Sequence, residues 1–163
     1  PDLVVDKLID IVSKNGNMLL NIPIKADGTL DREATALLRN VGKWFEVNGE
    51  AIYGTRPWYM HGEGRNEIGH HDLKSPMGSR DFRYTTKGEH LYAFVLAWPN
   101  AKRKPVVFPN LVETNTRIGK ITHVEMLGHT GDLKWEHHGD GLQVYFPEKK
   151  PCEYAYALKI SFE

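Results

Sequence analysis

Cysteine is almost missing from this sequence: Cys152 is the only one among 163 residues. An internal disulfide is therefore excluded, and so is a Cys-rich metal site. Cys152 follows Pro151 near the start of an apparent strand, where it reads as a small buried hydrophobe. A reactive thiol would need a cationic or helix-terminus setting. Net charge is missing as well. Twenty-one basic side chains balance twenty-one acidic ones, so no global field favours nucleic acid or an anionic membrane. No apolar run reaches the roughly 20 residues of a membrane-spanning helix. No Asn-x-Ser/Thr acceptor occurs either, since Asn115-Thr116 is followed by Arg117. What is present is the composition of a globular protein, 40% hydrophobic and 26% charged. A chain of this length can bury roughly 70% of its unfolded surface.

The two ends of the chain are patterned differently. In LVVDKLIDIVS (3–13), Val4, Val5, Leu8, Ile9, Ile11 and Val12 form a broad helical stripe. Asn15 and Gly16 then supply a left-handed stop. MLLNI (18–22) is an apolar run without alternation, which predicts a strand buried on both faces, as in parallel sheets. Thr29 or Asp31 can cap a second helix whose face carries Ala34, Leu37, Leu38, Val41, Trp44 and Phe45. Helix, buried strand and helix make an α/β unit, and one strand cannot form a sheet alone. From about Thr55 the period changes to two. Strands are predicted in 80–86, 90–98, 104–108, 120–127, 133–136, at Leu142-Val144-Phe146, and in 153–162. Short strands at this spacing, separated by Gly, Pro, Asn and Asp, predict an antiparallel β-sandwich. The reading divides the chain into 1–54 and 55–163. In 153–162, Tyr154, Tyr156, Leu158, Ile160 and Phe162 should share the buried face of a half-exposed strand. HLYAFVLAW (90–98) is apolar on both faces, so it should be a central strand covered by a second body.

Few residues advertise chemistry. The pairs His70-His71 and His137-His138 lack metal-ligand spacing, because neighbours in a strand point to opposite faces. His70, His71 and Asp72 could form only a weak site in a Gly-rich loop. Gly62-Glu63-Gly64 lacks the strand-to-helix switch of a phosphate loop, and no Gly-x-Ser-x-Gly elbow exists. Among the aromatics, Trp98, Tyr92 and Tyr154 occupy strand positions that predict burial. Trp58 and Trp135 are freer to touch sugar: exposed and coplanar on one face they would make a non-catalytic carbohydrate-binding module, and buried at an interface a structural β-sandwich module.

LVVDKLIDIVSKNGNMLLNIPIKADGTLD followed by VGKWFEVNGEAIYGTRPW strongly resembles the last part of the catalytic barrel in α-L-fucosidases of glycoside hydrolase family 29. FRYTTKGEHLYAFVLAWP and MLGHTGDLKWEHHGDGLQVYFP resemble the C-terminal β-sandwich of the same enzymes. The resemblance implies an α/β fragment, the last helix-strand-helix of a (β/α)8-like barrel, followed by an antiparallel β-sandwich. It implies a retaining hydrolase releasing α-linked L-fucose, with two carboxyl groups about 5–5.5 Å apart. In the family both carboxyls lie before the final barrel strand, so no catalytic residue is carried over here. The C-terminal ends of barrel strands face the active site, which would direct Asn21 and the loop Pro23 to Gly28 towards substrate. Pro23-Ile24 stands where the family has Gly-Pro. Asn21 and Trp58 are thus the candidate substrate-binding residues. The implied partners are a fucosylated glycan, the upstream catalytic segment and, as a further option, a second copy of the chain. No nucleic acid, membrane, metal or cofactor is implied. Animal members are lysosomal, and bacterial ones periplasmic, secreted or cytoplasmic.

Overall fold

The computed structural model describes residues 1–64, 77–100 and 104–163. Helix α1 (Asp2–Ser13) and helix α2 (Arg32–Asn48) come first, followed by a 3-10 turn at Gly49–Ala51. The strands are β1 (Arg56–Glu63), β2 (Phe82–Lys87), β3 (His90–Val95), β4 (Val106–Phe108), β5 (Ile121–Met126), β6 (Trp135–His138), β7 (Gly141–Val144) and β8 (Tyr156–Phe162). Both helices end and begin as their sequences predict. Asn15 takes a φ of 65°, and the Gly16 N–H donates to the Ile11 carbonyl at 2.8 Å. Asp31 caps α2, its carboxylate accepting from the Ala34 N–H at 2.6 Å.

The strands pair antiparallel in two sheets, ordered β1-β2-β3-β8-β5 and β4-β7-β6. Leu91, Ala93, Val95, Leu158 and Ile160 of the larger sheet meet Val106, Phe108, Leu142 and Val144 of the smaller one in a single core. This is the predicted sandwich. The other face of the larger sheet carries Tyr92, Phe94, Leu96, Ala155 and Ala157, packed with Val5, Ile9, Val41 and Trp44 of the helices. The two-sided apolar pattern of β3 is thereby accounted for: one face belongs to the sandwich, the other to the helices. Polar groups fix this second interface. Trp44 Nε1 donates to the Ala155 carbonyl at 2.8 Å, and Asn48 Oδ1 accepts from the Ala157 N–H at 3.2 Å. Thr85 Oγ1 donates to the Ala51 carbonyl at 2.8 Å. Glu50 accepts from Lys159 at 2.7 Å and from the Tyr92 hydroxyl at 2.6 Å, and these contacts hold its carboxyl below the ordinary range.

Four expectations need correction. Met18 to Ile22 do not form a strand, and Leu19 is 95% exposed. A strand is stable only where neighbours take its N–H and C=O groups, and no such neighbour occurs among the described residues. The segment 153–162 is not half-exposed. Its strand begins only at Tyr156, after Tyr154 turns with a φ of 74°, and Ala155 and Ala157 fill the face assigned to solvent. Tyr154 packs at the helical side while Leu158 and Ile160 enter the sandwich core, so they do not share a face. Trp98 likewise parts from Tyr92. β3 stops at Val95, the alternation lapses, and Trp98 turns to meet Phe146 and Tyr156 at ring separations of 5.2 and 4.7 Å. Strand β1 was not predicted at all.

Candidate functional site

Asn21 lies between the helices on an exposed stretch that also displays Leu19, Leu20 and Ile24. Beyond it the chain closes a tight turn. The Lys25 N–H donates to the Thr29 carbonyl at 2.8 Å, and the Gly28 N–H to the Lys25 carbonyl at 2.9 Å. Gly28 takes a φ of 81°, which only glycine adopts without cost. Asp27 accepts from both the hydroxyl and the N–H of Thr29, at 2.7 and 2.9 Å, and these bonds hold its carboxyl below the usual range. The turn is therefore shaped by its own side chains, while Asn21 makes no side-chain hydrogen bond among the described residues.

Trp58 is elsewhere, on β1, half-buried against the sandwich core. Its ring meets Tyr84 edge-on at 4.9 Å and Tyr59 at 4.2 Å. Trp135, paired opposite Val144, is also half-buried against that core, and no ring contact joins it to Trp58 among the described residues. The coplanar exposed platform of a carbohydrate-binding module is not built from these two rings. His70, His71 and Asp72 lie outside the described residues. His137 is not a ligand candidate, since its Nε2 contacts the Leu111 carbonyl at 3.0 Å. Cys152 takes its structural role: Asn48 Nδ2 donates to its sulfur at 3.3 Å, and burial pushes the thiol up.

Two groups of residues escaped the sequence reading. The first surrounds Trp58. Glu63 accepts from the Tyr84 hydroxyl and from Asn110, and burial beside this carboxylate raises the Tyr84 phenol well above its ordinary value. The second is a buried ionic cluster between α1 and β2. Arg83, 2% exposed, donates through Nε to Asp10 Oδ1 at 2.6 Å, and Lys14 reaches Asp10 Oδ2 at 2.9 Å. One turn before Asp10, Asp6 is also buried, with Oδ1 lacking a hydrogen-bond partner. Asp6 and Asp10 interrupt the apolar stripe of α1 at i, i+4 spacing, and that spacing was the available signal.

Burial, with the Asp2 and Asp81 carboxylates adding to it and Arg83 opposing, pushes Asp6 up to about 7. The folded protein thus holds a proton that the unfolded chain releases near pH 4. The contribution of Asp6 to stability should be fully present below that point and be lost as the pH rises through about 7. Asp6→Asn, which mimics the neutral acid, should remove most of this slope in urea titrations between pH 4 and 8. A variant as pH-dependent as the parent would contradict the assignment.

Residues 1–50 match the family profile described as Alpha-L-fucosidase, and residues 76–161 match Alpha-L-fucosidase C-terminal domain. An alpha-L-fucosidase of Branchiostoma floridae is 33% identical over 164 residues, covering 98% of this chain. The chain belongs to the alpha-L-fucosidase family. Its resemblance to the tissue alpha-L-fucosidase of Bos taurus is 34% identity over 97% of the chain. The Thermotoga maritima alpha-fucosidase in complex with a mechanism based inhibitor superposes with a TM-score of 0.74, at 27% identity, over 98% of this chain and 34% of that one. The fucosidase sequences extend well beyond the match: the chain spans 32% of the Branchiostoma relative and 30% of the bovine one.

Proposed function

We propose that this chain is the C-terminal portion of a retaining α-L-fucosidase acting on fucosylated glycans. Residues 1–54 complete a (β/α)8-like barrel and residues 55–163 supply its sandwich, while the catalytic carboxylates belong to a preceding segment. The observation that carries this reading is the state of Met18 to Ile24. An apolar segment stands exposed between two helices that are themselves docked on the sheet. Exposed, unpaired apolar backbone is a liability that a neighbouring strand removes. Flanking barrel strands would cover Leu19 and Leu20 and turn Asn21, at the C-terminal end of the strand, towards the substrate cleft. Trp58, at the sandwich edge, is the residue through which this domain would meet the glycan.

The test is hydrolysis of an aryl α-L-fucoside. The 163-residue chain should show none, and the same chain joined to an upstream catalytic segment should turn the substrate over with retention of anomeric configuration. A joined, folded polypeptide that leaves the fucoside intact, or inverts the anomer, would overturn the proposal.

A further inference from the structure

We propose that the seam between α1 and β2 is a proton-operated latch, closed while Asp6 is protonated and opened locally, with the sandwich left intact, once Asp6 ionises. The geometry is that of a buried cluster with too few cations. Asp2, Asp6 and Asp10 recur every four residues, so they line one face of α1. Asp6 and Asp10 are buried there, where α1 packs against β1 and β2. Arg83 of β2 reaches Asp10 Oδ1 through Nε at 2.6 Å, and Lys14 reaches Asp10 Oδ2 at 2.9 Å. Both cations are therefore engaged at Asp10. Asp6 accepts from the Met77 N–H, but its Oδ1 is buried with no hydrogen-bond partner among the described residues.

The groups around Asp6 oppose a further negative charge. Asp2 lies one turn before it on α1. Asp81, whose Oδ2 accepts from the Gly78 N–H at 2.7 Å, approaches from the turn before β2. Arg83 acts against these two carboxylates. On β1, Arg56 donates to the Thr55 carbonyl at 3.0 Å, Glu63 accepts from Tyr84 and Asn110, and His61 is exposed. An ionised Asp6 makes a fourth carboxylate against two cations, with an oxygen that water does not reach.

Helix α1 is built to lift alone. It holds to the outer face of the larger sheet through Val5 and Ile9, whereas the sandwich core fills the opposite face. The chain beyond it, 14–31, is largely exposed, so α1 moves without dragging α2. A helix of 12 residues is marginal in water, and α1 unwinds once it leaves the sheet. Opening releases the Asp6 proton, so the open fraction grows with pH until Asp6 is charged in the closed form as well.

The experiment follows amide exchange of the 163-residue chain by NMR from pH 5 to 8, as protection factors corrected for intrinsic exchange. Protection of the Asp6 to Ser13 amides should fall about tenfold per pH unit up to about pH 7, one proton leaving per opening, and then level off. Strands β3 and β8 should remain more protected than α1 throughout. Asp6→Asn should flatten the α1 profile. Asp2→Asn, at an exposed position, removes one opposing carboxylate and should bring the levelling-off to a lower pH. An α1 profile indifferent to pH, or α1 amides as protected as those of β8 at every pH, overturns the latch. So does an Asp6→Asn chain that keeps the slope, or an Asp2→Asn chain that levels off where the parent does. No hydrolysis is measured, so the latch and the fucosidase reading fail separately.

Discussion

Trp44→Ala should be among the most damaging single changes in this chain, costing about 3–5 kcal/mol of stability. The indole is 1% exposed, lies against Phe94 with centroids 6.4 Å apart and meets Phe45 edge-on at 5.4 Å. It is the largest apolar group joining α2 to the outer face of the sheet, so its removal leaves a cavity at the seam between the helices and the sandwich. It also leaves the Ala155 carbonyl without the indole N–H. Trp44→Phe separates the two effects. It retains most of the packing and should cost about 1–3 kcal/mol, the penalty of a buried acceptor that loses its strong donor and keeps only the weak Cys152 thiol at 3.5 Å. Urea unfolding of both variants measures the difference, and a loss below about 1 kcal/mol for Trp44→Ala would contradict the packing described here.

Asp10→Ala should be comparably severe, at about 3–5 kcal/mol, because it strips the carboxylate from a buried guanidinium. The Phe82 carbonyl, 2.8 Å from Arg83 Nη1, is a dipole and does not replace the carboxylate at Nε. Lys14, more exposed, loses its partner at less cost. Removing both charges should be milder than removing one. Asp10→Leu combined with Arg83→Met is therefore expected to recover part of the stability lost in Asp10→Ala. A double variant no more stable than Asp10→Ala would show that the pair contributes more than mutual neutralisation.

The sandwich was legible because its information is local and periodic. Alternation in 120–127 and 142–146 marks strands, and the double-sided pattern of 90–98 correctly foretold a strand covered on both faces. The helices were legible from their stripe, from Asn15 and from the Asp31 cap. What failed were the places where local pattern meets a tertiary event. Tyr154 adopts a left-handed conformation that shifts every following side chain to the opposite face, and no alternation rule announces it. β1 escaped because Trp58, Tyr59 and Met60 are consecutive large apolar residues, so the alternation of their burial does not show in the sequence, and its bulge accompanies the contact of Tyr59 with Asn115, 56 positions away. Asp6, Asp10 and Arg83 were not singled out in the sequence. The i, i+4 spacing of the two carboxylates was visible, but only the fold brings Asp10 to Arg83 of β2, 73 positions away. Asn21 was singled out by its position in the chain, and among the described residues its side chain makes no hydrogen bond.

The MLLNI segment tests the account most directly, through amide hydrogen exchange measured in the chain alone and in the chain joined to its upstream segment. Backbone amides of Leu19 to Ile22 should exchange almost freely in the chain alone, where Leu19 is 95% exposed and no strand among the described residues pairs with the segment. They should become strongly protected once flanking strands are present. Strong protection in the chain alone would contradict the claim that this segment is the unfinished edge of a barrel.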